Sequence, residues 1–486
     1  MSEFRGVLTN RPKVLNLGLK TIGDSVKGFT NLYPIDWKPP GWGNSDLAQI
    51  VATLYPDSTP GTVAEKVLQA NQTALNRMLD SQPVLVDIQP AIEVLPGMNS
   101  NTILHAGPPV EWSDMCGPMK GAVIGALIYE ERAKSEEEAA AIAASGQIEF
   151  APCHSRNAVG PMAGIISPSM PVWVVKNNSF GNLAFATMNE GWGRTLRFGA
   201  FDQDVINRLV WMEKTLAPAM KLVIDKLEGI DLKSMIAQAL QMGDECHNRD
   251  IAATNLFFKL VTPVLVESNF PLKKIQQVVR FLGEHEHFFL NLAMAASKAT
   301  LVAAQDIPYC SMVTAIARNG VEVGITVSGL GNQWFTDTAT VAQGLYFPGY
   351  SEEDANPDIG DSAVTETGGI GAFVMGASPA IVQFVGGTPE DALAMTREMY
   401  QITLGKNNSY RLPALSFIGS PTGIDIIRVA DTGILPIINT GIAHKEPGHG
   451  LVGAGIVRAP QGCFEKALRA FGEKYTDGSL IKVEDR

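Results

Sequence analysis

Between residues 203 and 305 the chain repeats apolar side chains every three or four positions, whereas on either side it breaks into short apolar runs punctuated by glycine and proline. This change of period constrains the fold more than any other feature. Val205, Leu209, Met212, Leu216, Met220, Val223 and Leu227 form one stripe of a helix, because a turn takes 3.6 residues. Pro218 is expected to kink that helix. Asp231 suits the N-cap of a following helix whose apolar face holds Leu232, Met235, Ile236, Ala239 and Leu240. Helical spacing recurs over 251–266, 272–282 and 288–304.

The flanks have a different rhythm. Apolar runs at 14–18, 32–37, 83–88, 171–175, 344–349, 415–418 and 451–457 predict strands, and the alternation over 321–328 predicts a half-buried one. Helices are expected over 47–54, 64–79 and 388–405, and a solvated one over 136–144. The stretch 372–385 reads as buried core, and the prolines and glycines of 38–44 as a rigid turn. The motif Gly-Pro-Met-x-Gly occurs at 117–121 and again at 160–164, and proline tolerates the first turn of a helix, so each copy is a candidate helix start. Together these patterns predict an α/β (mixed α+β) fold with glycine-rich α/β domains around a mainly helical middle. The expected units are an α/β module at 1–82, a Gly/Pro-rich α/β region at 83–202, a helical region at 203–310 and an α/β region at 311–486.

A chain of 486 residues with 45% hydrophobic side chains divides into more than one core. Its net charge of −12 argues against nucleic-acid and membrane-surface partners, both of which are anionic. The first residues lack the apolar region of a secretory signal, and no apolar run reaches the length of a membrane span. Five scattered cysteines with no Cys-x-x-Cys pair predict free thiols in a reducing, cytoplasmic compartment and no structural zinc.

Six constellations carry candidate chemistry. His105–Lys120 gathers ionisable residues around a helix start at Gly117, where free N–H groups suit an anion. In the second, His154, Arg156 and Asn157 combine a cationic fork with single donors. The third places Arg194 and Arg197 three apart among glycines, close enough to share a helical face. In the fourth, 244–250 is wholly polar or ionisable, apart from Cys246, between two apolar helices. There His247 is a candidate acid or base, with Asp244 or Glu245 to orient it and Asn248 and Arg249 beside it. The fifth, 358–371, carries Asp361, Glu366 and glycines whose N–H groups could cradle a phosphate-like group. The sixth contains His444, Lys445 and His449, with no third metal ligand in view. Each has a plainer reading as a packed turn or solvated corner. His285 and His287, two apart, read as a solvated helix end.

In order along the chain run MCGPMKGAVIGAL, PCHSRNAVGPMAGIISPSMPV, NEGWGRTLRFGA, MGDECHNRD, FFLNLAMAASK, ARNGVEVGITVSG, GLYFPGY, DIGDSAVTETGG and INTGIAH. Together these words resemble the YlbE/YahG family, one branch of which is the AllG-type subunit of oxamate carbamoyltransferase. The N-terminal words VLNLGLK and PIDWKPPGWGN resemble the YahG branch more closely.

The resemblance implies a subunit of a carbamoyltransferase of allantoin breakdown. Oxalurate and phosphate would give oxamate and carbamoyl phosphate, in an oligomer with FdrA-like and AllH-like chains. It implies no cofactor beyond phosphate or carbamoyl phosphate as substrate or product. For such chemistry Arg156, Arg194, Arg197 and Arg249 could supply cations. Asn157, Asn248 and N–H groups near Gly117 and Gly160 could hold the carbamoyl oxygen, and His154 and His247 could move the proton. Glu366 and His444 complete the candidate set. The alternatives are a non-catalytic assembly subunit for an FdrA-like partner, or acyl-CoA or acyl-phosphate chemistry.

Overall fold

The computed structural model describes residues 38–476 apart from Trp192, together with Ser25 and the backbones of two short parallel strands, Lys13–Leu17 and Asn31–Ile35. The mixed α+β architecture expected from the sequence is the one observed.

The first sheet has five strands, in the order Ala158–Val159, Leu183–Thr187, Pro171–Asn177, Pro83–Pro90 and Ile230–Asp231. Its middle strand, PVWVVKN, is rich in β-branched and aromatic residues and buried over Val172–Val175, as a strand with neighbours on both edges requires. Against this sheet packs the helix Leu290–Val302. It is buried almost all round, and alanines at 293, 295, 296 and 299 allow close approach. A second sheet is antiparallel, in the order Phe335–Thr338, Glu322–Val327, Val313–Asn319 and Ile359–Gly360. A third orders Gln343–Tyr346, Leu451–Arg458 and Ile437–Ala443.

The middle of the chain is helical, as its periodicity predicts. Pro218 does not kink it sharply. A π-turn, Met212–Leu216, joins Gln203–Trp211 to Ala217–Leu227 and places Pro218 near the start of the latter. The Lys214 carbonyl, four residues before the proline, accepts from Lys274 Nζ at 3.1 Å instead of from a backbone N–H.

Other expectations change. The first Gly-Pro-Met-x-Gly starts the helix Gly117–Tyr129, but the second starts none. There Met162 (φ 56°) and Gly164 (φ 60°) are left-handed, and Gly160 lies so close to Gly164 that a Cβ would sit 2.6 Å from its Cα. The helix from 388 ends at Met399, because Thr403–Leu412 pairs with Ile418–Ile424 as a hairpin. The turn before Ile418 holds Ser416 and Phe417 at positive φ, so the expected strand at 415–418 starts later. Glu322–Val327 is buried on both faces and not on one, since the helix Gln461–Tyr475 covers it.

One hydrophobic cluster joins Ala74, Trp173, Phe288 and Leu412, and a second joins Leu47, Phe373 and Phe471. The cores therefore cross the boundaries expected near 83, 203 and 311. No helix among the described residues is long and apolar enough to cross a membrane.

Candidate functional site

The loop 243–250 turns between the helices Leu232–Gln241 and Ile251–Val266, with Cys246 in the left-handed region (φ 63°). Its acids hold the loop itself. Glu245 Oε1 accepts from the N–H groups of Asn248 (2.5 Å) and Arg249 (2.7 Å). Asp244 Oδ2 accepts from Ala253 N–H at 2.8 Å, at the start of the next helix. His247 points the other way, with Nδ1 2.8 Å from Glu366 Oε1. Glu366, and neither Asp244 nor Glu245, therefore orients His247, correcting the sequence expectation. Glu366 is itself fixed by Ala372 N–H (2.9 Å) and the Thr365 hydroxyl (2.9 Å).

The glycine cradle is not available to a ligand. The N–H groups of Gly369, Ile370 and Gly371 donate to the carbonyls of Glu366, Thr365 and Glu245.

Around His247 lies a cleft of about 360 Å³, lined among others by Pro161, Arg197, Asn248, His287 and Ser362. Arg197 is buried on the short turn Leu196–Phe198. Its Nη2 donates to the Gly191 carbonyl at 2.8 Å, and its Nε has no hydrogen-bond partner among the described residues. Asn248 Nδ2 is likewise buried and unpartnered. Glu190 fixes the turn by accepting from Leu196 N–H (2.7 Å) and Arg197 N–H (3.1 Å). A second cavity of about 540 Å³ adjoins the first at Pro161 and Arg197. His287, expected at a solvated helix end, is buried with Nδ1 2.9 Å from Asp250 Oδ2; it was misread because periodicity does not reveal which helix end meets a core.

Behind the Pro161–Ser362 wall is a second polar layer. Asp361 accepts from Gly107 N–H (2.8 Å) and Gly160 N–H (3.1 Å), so the Gly160 donor is taken and does not face a ligand. His154 Nε2 stands 3.6 Å from Asp361 and its ring meets Trp334 edge-on. Lys298 is fully buried with its Nζ unpartnered. Arg318 grips Asp358 through Nε (2.8 Å) and Nη2 (3.2 Å), and reaches Gly360 O, Ser362 and Thr440.

Burial dominates the electrostatics. It raises Asp361 and Asp244 to about 7 and Glu245 to about 8, and holds Asp250 well above the carboxylate range. It lowers Arg197 to about 10 against the attraction of Glu190, and Lys298 to about 8 against Asp361. His154 and His287 are kept neutral by burial, with nearby cations adding to the effect. Burial also opposes charge on His247, but Glu366 outweighs it and raises that imidazole. Several acids thus sit protonated near neutrality, leaving Arg197 and His247 as the positive groups facing the cleft.

The remaining candidates lie elsewhere. Arg156 pairs with Glu149 (3.1 Å) and Arg194 with Asp202 (2.9 Å), both at the surface. Arg194 and Arg197 thus share no helical face. Arg249 donates to the Gly243 carbonyl (3.1 Å) and bounds its own loop. Asn157 caps the turn Cys153–Arg156 in the left-handed region. Gly117 packs on the backbone of Lys445, and His444 stacks on His449 with centroids 4.2 Å apart. Among the described residues no group of three or more His, Cys, Asp or Glu side chains could hold a metal ion. Lys298, Arg318 and Asp358 escaped the sequence reading, although a lone lysine inside the apolar word LNLAMAASKATLV was a signal.

Fold and site define a globular α+β protein with an enclosed polar cleft walled by Arg197, His247 and His287. Residues 148–362 match the family model for oxamate carbamoyltransferase subunit AllG. The chain is 47% identical over 463 residues to the uncharacterized protein YahG of Escherichia coli (strain K12), covering 95% of this chain and 97% of that one. It is 48% identical over 410 residues to oxamate carbamoyltransferase subunit AllG of the same organism, covering 84% and 98%. The crystal structure of a conserved protein of unknown function from Enterococcus faecalis V583 superposes with a TM-score of 0.83 at 48% identity, over 84% of this chain and 98% of that one. The chain belongs to the family that contains AllG and YahG.

Proposed function

We propose that this chain is a subunit of a carbamoyltransferase in the cytoplasm, and that the cleft at Arg197 and His247 is where a small ureido acid exchanges its carbamoyl group with phosphate. The observation that carries this reading is a closed cleft offering a buried, unpartnered Arg197 Nε and Asn248 Nδ2 beside an imidazole charged by Glu366. The similarity to a protein named as an oxamate carbamoyltransferase subunit supplies the reaction class, and FdrA-like and AllH-like chains are the proposed partners.

With oxalurate, a phosphate oxygen attacks the ureido carbonyl carbon. The C–N bond to the oxamate nitrogen then breaks, and that nitrogen keeps the electron pair and takes a proton. Carbamoyl phosphate and oxamate result. Arg197 holds a substrate anion, Asn248 donates to the carbamoyl oxygen as negative charge grows there, and His247 gives the proton to the leaving nitrogen. His154 and Asp361, behind the wall, fix the Gly160–Ser362 side of the cleft.

The test is phosphate-dependent formation of carbamoyl phosphate from oxalurate by the assembled subunits. His247→Gln is expected to lower turnover about a hundredfold or more, and Arg197→Lys to raise the substrate KM, with assembly intact. Unchanged kinetics in an assembled variant would refute the residue roles. Full activity of the partners without this chain would leave it an assembly subunit.

A further inference from the structure

The cavity of about 540 Å³ beyond Arg197 has a different character from the cleft. Met170, Met188, Leu209, Met212 and Ile165 make most of its wall. Its polar residues are largely spoken for. Glu190 uses both oxygens on backbone N–H groups, and Asn189 and Asn291 bond to each other and to the carbonyls of His287 and Thr187. What remains is Arg197, 7% exposed, with its unpartnered Nε on the wall that both cavities share. Thioether side chains adapt to varied apolar shapes, and an aliphatic wall of this extent gives no favourable contact to a small, wholly polar acid.

Resting on the proposed carbamoyl transfer, we infer that the preferred donor is a ureido acid with an aliphatic substituent. Its carboxylate meets Arg197 and its substituent fills the methionine-lined chamber, leaving the ureido group in the cleft by His247. Oxalurate, which has no such group, leaves the chamber unused.

The experiment compares oxalurate with N-carbamoyl-leucine in the assembled enzyme with phosphate, for the wild type and for Leu209→Phe and Met212→Phe, which narrow the chamber. The expected result is a kcat/KM about tenfold or more higher for N-carbamoyl-leucine, since each buried methylene contributes roughly fourfold. Either variant that remains folded should lose that preference while oxalurate stays within about twofold. Equal or better use of oxalurate by the wild type overturns the inference and leaves the carbamoyltransferase standing. If neither donor yields carbamoyl phosphate, the reaction class fails instead. Calorimetry on the full chain then decides the chamber: N-carbamoyl-leucine binding that Leu209→Phe weakens supports it, and no binding overturns it.

Discussion

His247 owes its chemistry to one neighbour. Burial alone would keep the imidazole neutral, but the Glu366 carboxylate 2.8 Å away reverses that and raises its pKa. As a proton donor, His247 is active below its raised pKa, so turnover should fall as pH climbs through it. In Glu366→Gln the charge is gone and the hydrogen bond can remain. The alkaline limb of the pH–rate profile is then expected to move to lower pH, with a smaller loss of turnover at the acid end. An unmoved limb would mean that His247 is not the titrating donor.

Two connecting segments hold the site: the loop 243–250, braced by its own carboxylates, and the 358–362 turn, braced by Arg318. The Arg318–Asp358 pair is fully buried. Removing one partner leaves the other charge desolvated and alone, which costs roughly 3–5 kcal/mol. Asp358→Ala should therefore lower unfolding free energy by about that amount in urea titration. A loss below about 1 kcal/mol would show that water or Thr440 replaces the carboxylate. The legible and the hidden parts of the sequence divide here too. The polar block around His247 was visible because seven consecutive ionisable, polar or cysteine residues cannot lie against apolar helices without partners. Its partner Glu366 stands 119 residues away, a separation no local pattern reports.

Across the whole molecule, periodicity revealed the helical block 203–305 and most strands, because helix and strand patterns arise within a few residues. Segment boundaries were less legible. The helix 290–302 lies in a core shared with Ala74, Trp173 and Leu412, and such sharing is a property of the folded chain. Tertiary context also decided which arginines matter: Arg194 and Arg197 look alike in sequence, yet one pairs at the surface and the other is buried between two cavities. The central claim is that a small anion reacts at Arg197 and His247. Crystals soaked with oxamate and phosphate test it most directly. Density for an anion within hydrogen-bond distance of Arg197 Nε and Asn248 Nδ2, lost in Arg197→Lys crystals, is the predicted result. Oxamate or phosphate bound only elsewhere, with the cleft unchanged, would contradict it.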